Sequence, residues 1–156
     1  MRATIDCITV WQPWSSLILA GAKPFEWRGW VFPERRIGTR IGIHAGARPV
    51  RKKEIRRLLI DLEAHGEAGT SIDPAIALPL LAKWHDKPDE LPLSSVLCTA
   101  ILGKPIRAGK YAAARGIDSD RIDHEKWGWP LIEIEAVEPM CPARGAQGFW
   151  PWTPPQ

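Results

Sequence analysis

Residues Trp11–Arg28 read WQPWSSLILAGAKPFEWR, and this stretch sets how the rest of the chain is understood. Pro13 suits a first helical turn, so it opens a short apolar helix over Trp14 to Ala20. Gly21 can take the left-handed conformation that closes such a helix. Pro24 fixes its own φ and pushes Lys23 towards extended backbone. The chain then runs on as a strand, in which Glu26 and Arg28 share one face and Trp27 points to the other. Lys23, Glu26 and Arg28 thus form a compact polar cluster. Two readings fit it. One is an ion-pair network of a kind common in folded proteins. The other is an anion or nucleobase site, with Lys23 and Arg28 on phosphate and Glu26 orienting Lys23 or handling a proton.

Outward from this stretch, Ile5–Val10 is rich in β-formers and reads as a preceding strand. Arg40–Ala45 alternates: Ile41, Ile43 and Ala45 share one face, and Arg40, Gly42 and His44 the other. His44 reads as a hydrogen-bonded structural residue or as a site residue. Arg51–His65 is the clearest helix, with Ile55, Leu58, Leu59 and Leu62 on one stripe and Gly66 closing it. Lys52, Lys53, Arg56 and Arg57 fall on or beside its outer face, either as a solvated surface or as a strip for nucleic-acid phosphates. Asp73-Pro74 starts a further helix, whose regularity Pro79 limits. The material between the basic helix and Pro92 reads as an inserted lid. Ser95–Ile106 is strand-like, Ala108–His124 a loop with a helical turn, and Leu131–Val137 a strand ended by Pro139 and Pro142. The Gly- and Trp-rich tail Arg144–Trp152 reads as a segment that wraps back and plugs the core.

The 156 residues are 45% hydrophobic, enough for one domain, residues 1–156, with its own core. A net charge of +3 is too weak to argue for nucleic acid by itself. Of the nine tryptophans, most read as core and one or two as lining a cleft. Cys7, Cys98 and Cys141 lie far apart, with no CxxC and no metal-ligand spacing, so they read as reduced thiols of a cytoplasmic protein without a metal or cofactor. No signal peptide and no membrane span are expected. Walker, GxGxxG, HExxH and G-x-S-x-G patterns are absent. Oligomeric state is not legible.

The pattern Gly21-x-Lys23-x-x-Glu26-x-Arg28, after Gln12-Pro13-Trp14 and a short helix, resembles the signature of the ASCH domain family, part of the PUA-like superfamily. Arg40-Ile41-Gly42-Ile43-His44-Ala45 is similar to the family's next strand. Gly145-Ala146-Gln147-Gly148-Phe149-Trp150 is similar to the closing segment of its prokaryotic members. The resemblance implies an α+β fold: a small, mostly antiparallel PUA-like β-barrel with flanking helices. It also implies a cleft lined by the motif that takes RNA or a nucleotide-like ligand. There Arg28, Trp11, Trp14 and His44 would bind the ligand, Lys23 and Glu26 would be the candidates for catalysis, and Lys52, Lys53, Arg56 and Arg57 would hold backbone. Some bacterial relatives remove an acyl group from a modified cytidine, with a threonine nucleophile three residues after the lysine. Here that position is Glu26, which lacks a nucleophilic hydroxyl but could serve as a base for water. Other members suggest metal-independent RNA cleavage, and a non-catalytic regulatory module is a third class.

Overall fold

The computed structural model describes residues 3–114 and 126–156. Its strands are β1 (Ile5–Val10), β2 (Phe25–Arg28), β3 (Arg40–Ala45), β4 (Ser95–Leu102), β5 (Ile106–Arg107), β6 (Trp127–Pro142) and β7 (Trp150–Trp152). The helices are α1 (Trp14–Leu19), α2 (Lys52–Thr70), α3 (Pro74–Asp86) and α4 (Ala108–Ala114). The fold is α+β, with one seven-stranded sheet in the order β2-β6-β4-β3-β1-β7 and β5 beside β6. Pairing is antiparallel except between β1 and β3. Backbone pairing does not close the sheet, so the expected barrel is an open sheet with β2 and β7 as its edges. No described helix is long and apolar enough to cross a membrane.

Helix α1 separates two apolar layers. Ile18 faces the sheet core with Ile8, Ile43, Leu97 and Trp129. Leu17 faces a helical core with Ile55, Leu62, Leu81 and Trp84. That second core shows that α3 is built into the helical layer, where burial of Ala77, Leu81 and Trp84 fixes it; it is not a lid. Gln12 is buried: its Oε1 accepts from the Ser16 N–H and its Nε2 donates to the Pro92 carbonyl, so the side chain caps α1 and ties it to a distant loop. Gly21 at φ +80 ends the helix, and the Ala22 and Lys23 amides fold back onto the Leu17 carbonyl.

Several boundaries differ from the sequence reading. Gly66 breaks α2 at φ 60 and ψ −155, but helical turns resume to Thr70. Asp73 caps α3 by accepting from the Ala75 N–H at 2.9 Å, and the helix runs through Pro79. Strand β6 is much longer than Leu131–Val137, because it pairs with β2 and β5 first and β4 afterwards. Pro139 does not end it, since it falls in a register shift opposite Val96/Cys98 where no ladder N–H is required. Strand β3 has no solvent face: Gly42 and His44 are buried beside Cys7 and Trp150. The acids of Ala108–His124, and that segment beyond Ala114, lie outside the described residues.

Candidate functional site

The geometry of β2 explains the spacing of the three charged residues. Register pairs Glu26 with Trp129 and Arg28 with Trp127, and the Leu131 N–H bonds the Pro24 carbonyl. By antiparallel alternation, the Phe25 carbonyl and Trp27 N–H then face the free edge of the sheet. The motif side chains meet both. Lys23 Nζ donates a short hydrogen bond to the Phe25 carbonyl. Glu26 Oε1 accepts from the Trp27 N–H at 3.1 Å. Arg28 spans the open side of the sheet, donating from its guanidinium to the Thr9 carbonyl of β1 at 3.0 Å. Its Nε lies 3.8 Å from Glu26 Oε1, confirming that the two share a face.

This edge borders a cleft of about 1130 Å³. Lys23, Glu26 and Arg28 line it, as do Trp11, Trp14 and His44, so every expected motif-cleft residue comes together. Lys23 and Glu26 are 6% and 8% exposed, so both charges are buried, and the ion pair that Glu26 makes is with Arg28 at 3.8 Å. Burial pushes the Lys23 ammonium below its ordinary value, against the pull of Glu26. Glu26 Oε2 is buried and, among the described residues, accepts no hydrogen bond. Four tryptophans line the cleft, more than expected: Trp11, Trp14, Trp27 and Trp30. Trp14 lies under Lys23 Nζ at 5.9 Å from its ring centroid, while Trp11 is 56% exposed and carries the Arg48 guanidinium at 4.7 Å. Lys52, Lys53, Arg56 and Arg57 are exposed on α2 and do not line the cleft, and Arg57 lies 3.6 Å from Asp61.

His44 is held by three neighbours. Its Nε2 lies 2.7 Å from the Ala143 carbonyl, which can only accept, so Nε2 carries the proton. Nδ1 then accepts from the Thr9 hydroxyl at 3.2 Å, and Thr9 Oγ1 accepts from Trp150 Nε1 at 3.0 Å. Both ring nitrogens are occupied, which removes His44 as a ready general base. Burial lowers its pKa from the usual 6.5, outweighing the Ala143 hydrogen bond. With the folded value below the unfolded one, the unfolded chain binds more protons between them, so stability falls as pH drops through 6.5. The unfolding free energy from urea titrations is expected to decline with acidification below about pH 6.5, by up to about 1.4 kcal/mol per pH unit, and less so in His44→Gln. Parallel pH profiles for the two proteins would refute this.

The tail returns to the core as the sequence suggested, and it also supplies cleft lining that the sequence did not indicate. Phe149 packs on the sheet core, stacked on Trp129, while Arg144 and residues 145–148 border the cleft. Gly145 is required by contact: a Cβ there would lie 2.5 Å from Thr9 Oγ1 and 2.7 Å from His44. The repeated glycines of Gly145-Ala-Gln-Gly148 were the signal, since glycine permits such close approach. Among the described residues, no group of three His, Cys, Asp or Glu side chains could hold a metal ion. Burial raises the Cys7 and Cys98 thiols to about 12, which makes them poor nucleophiles. No protein-family profile matches the chain, and no curated protein is similar enough to count as a relative.

Proposed function

We propose that the chain is an ASCH-type member of the PUA-like superfamily that binds RNA or a nucleotide-like ligand in the motif cleft. The observation that carries this reading is that two buried charged side chains, Lys23 and Glu26, line a cleft that also holds Arg28 and Arg144 and is walled by tryptophan. A base stacks on an indole face, cations attract phosphate, and an unpartnered carboxylate oxygen accepts an N–H from a base. On this reading the sheet corresponds to the superfamily's barrel, with the Arg28 hydrogen bond to the Thr9 carbonyl linking β2 to β1 where no backbone ladder does. The reading also takes the protein as cytoplasmic.

The test is a titration, with EDTA present, of a labelled single-stranded 12-nucleotide RNA and of the four ribonucleoside monophosphates. Arg28→Ala is expected to weaken both by about tenfold or more, the cost of a charged hydrogen bond. Lys53→Ala is expected to weaken only the RNA, because the outward cations of α2 meet backbone beyond the cleft. If neither ligand binds, the reading fails. A second reading rests on Lys23, whose depressed pKa beside Glu26 suits proton transfer in RNA cleavage or nucleoside amide hydrolysis. Cleaved RNA in the same tubes, absent with Lys23→Ala/Glu26→Gln, would favour it.

A further inference from the structure

We propose that Arg144 and the loop through Gly148 form a phosphate subsite at the mouth of the cleft, with Arg28 beside it. The ligand is then a phosphorylated one, carrying either the monoester of a free nucleotide or the diester of an RNA backbone. This rests on the nucleotide reading of the same cleft.

The charges within the cleft are unevenly matched. Lys23 is spent on the Phe25 carbonyl, and Arg28 divides itself between Glu26 and the Thr9 carbonyl. Arg144 is exposed at the cleft and, among the described residues, its guanidinium makes no hydrogen bond, ion pair or ring contact. The backbone that follows is equally unspent: the N–H groups of Gly145, Ala146, Gln147 and Gly148 make no hydrogen bond within the described protein. All four residues line the cleft. Consecutive unbonded N–H groups beside a guanidinium match a phosphate, which offers several acceptor oxygens and negative charge.

Thr9 links Arg28 to the residue beside Arg144. Its carbonyl accepts from Arg28, and its hydroxyl lies under Gly145, the residue next to Arg144. Ala143, on the other side of Arg144, is held through its carbonyl by His44. The loop is therefore anchored on both sides of Arg144 before any ligand arrives, and preorganised donors lose less on binding.

The experiment compares each ribonucleoside with its 5′-monophosphate, and adds inorganic phosphate alone, by calorimetric titration of the native protein, Arg144→Ala and Arg144→Lys. Arg144 is exposed, so these variants keep the fold. The monophosphate is expected to bind at least about tenfold more tightly than its nucleoside. Arg144→Ala should abolish that ratio and leave nucleoside affinity unchanged, and Arg144→Lys should restore part of it. A dinucleoside monophosphate that binds as well as the nucleotide assigns the subsite to RNA backbone; weaker binding assigns it to free nucleotides. Phosphate binding that depends on Arg144, with no nucleoside or nucleotide bound, keeps the subsite and sinks the nucleotide reading. Equal affinity for nucleoside and nucleotide, a ratio unmoved by Arg144→Ala, or no binding of phosphate in any form overturns the proposal.

Discussion

Lys23→Ala is expected to cost about 3 kcal/mol of stability and to abolish ligand binding in the cleft. The loss has two parts. The Phe25 carbonyl on the free edge of β2 loses its donor, and Glu26 is left buried with the Arg28 guanidinium at 3.8 Å and the Trp27 N–H to offset its charge. A carbonyl stripped of its donor and a buried carboxylate that loses a nearby cation are both expensive. Removing the carboxylate charge as well should therefore recover part of the loss. In urea unfolding of the native protein, Lys23→Ala, Glu26→Gln and the double variant, the double is expected to be about 1–2 kcal/mol more stable than the sum of the singles predicts. Additive losses would mean that each side chain only caps its own backbone group. Lys23 also fixes a sign. Its pKa is lowered in the folded state, so between that value and 10.5 the unfolded chain holds more protons. The native protein should accordingly gain stability relative to Lys23→Met as pH rises towards 10.5.

How much of this could be read from the chain depended on whether the cause was local. Pro13, Gly21 and Pro24 dictate helix, stop and strand through their own backbone restrictions, and α1, the turn and β2 follow. The face shared by Glu26 and Arg28 needs only the two-residue period of a strand. What lies at the free edge of β2 does not follow from its own residues. It depends on which side β6 takes, and β6 is a hundred residues away. Alternation in β3 put His44 opposite the apolar face without naming what it meets there, because nothing nearby says that Trp150 and Ala143 return to cover it. Arg144 was hidden for the same reason: an exposed arginine in a Pro- and Gly-containing segment looks ordinary until Thr9 and His44 are seen to contact its neighbours beside the cleft. Local chemistry named the motif, and long-range pairing supplied its partners.

Trp129→Ala is expected to be the most damaging single change, at about 3–5 kcal/mol. The indole is fully buried and is shared by fold and site alike. Trp30 and Phe32 pack edge-on to it at 4.8 and 5.0 Å, and Phe149 lies parallel to it at 5.7 Å. The Arg28 guanidinium sits 5.7 Å from its ring, and Nε1 donates to the Trp30 carbonyl at 3.3 Å. Trp129→Phe keeps most of the apolar volume and loses that hydrogen bond, so it should cost only about 1–2 kcal/mol. The more telling readout is the tail. Phe149 docks on Trp129, and Arg144 follows from that docking as an exposed site for trypsin five residues earlier. Under native conditions, Trp129→Phe should be cut after Arg144 faster than its loss of global stability accounts for, because the smaller ring releases the tail locally. Cutting that merely tracks global unfolding would separate the tail from Trp129 and leave its pairing with β1 and the contacts with Thr9, His44 and Arg36 as the anchor.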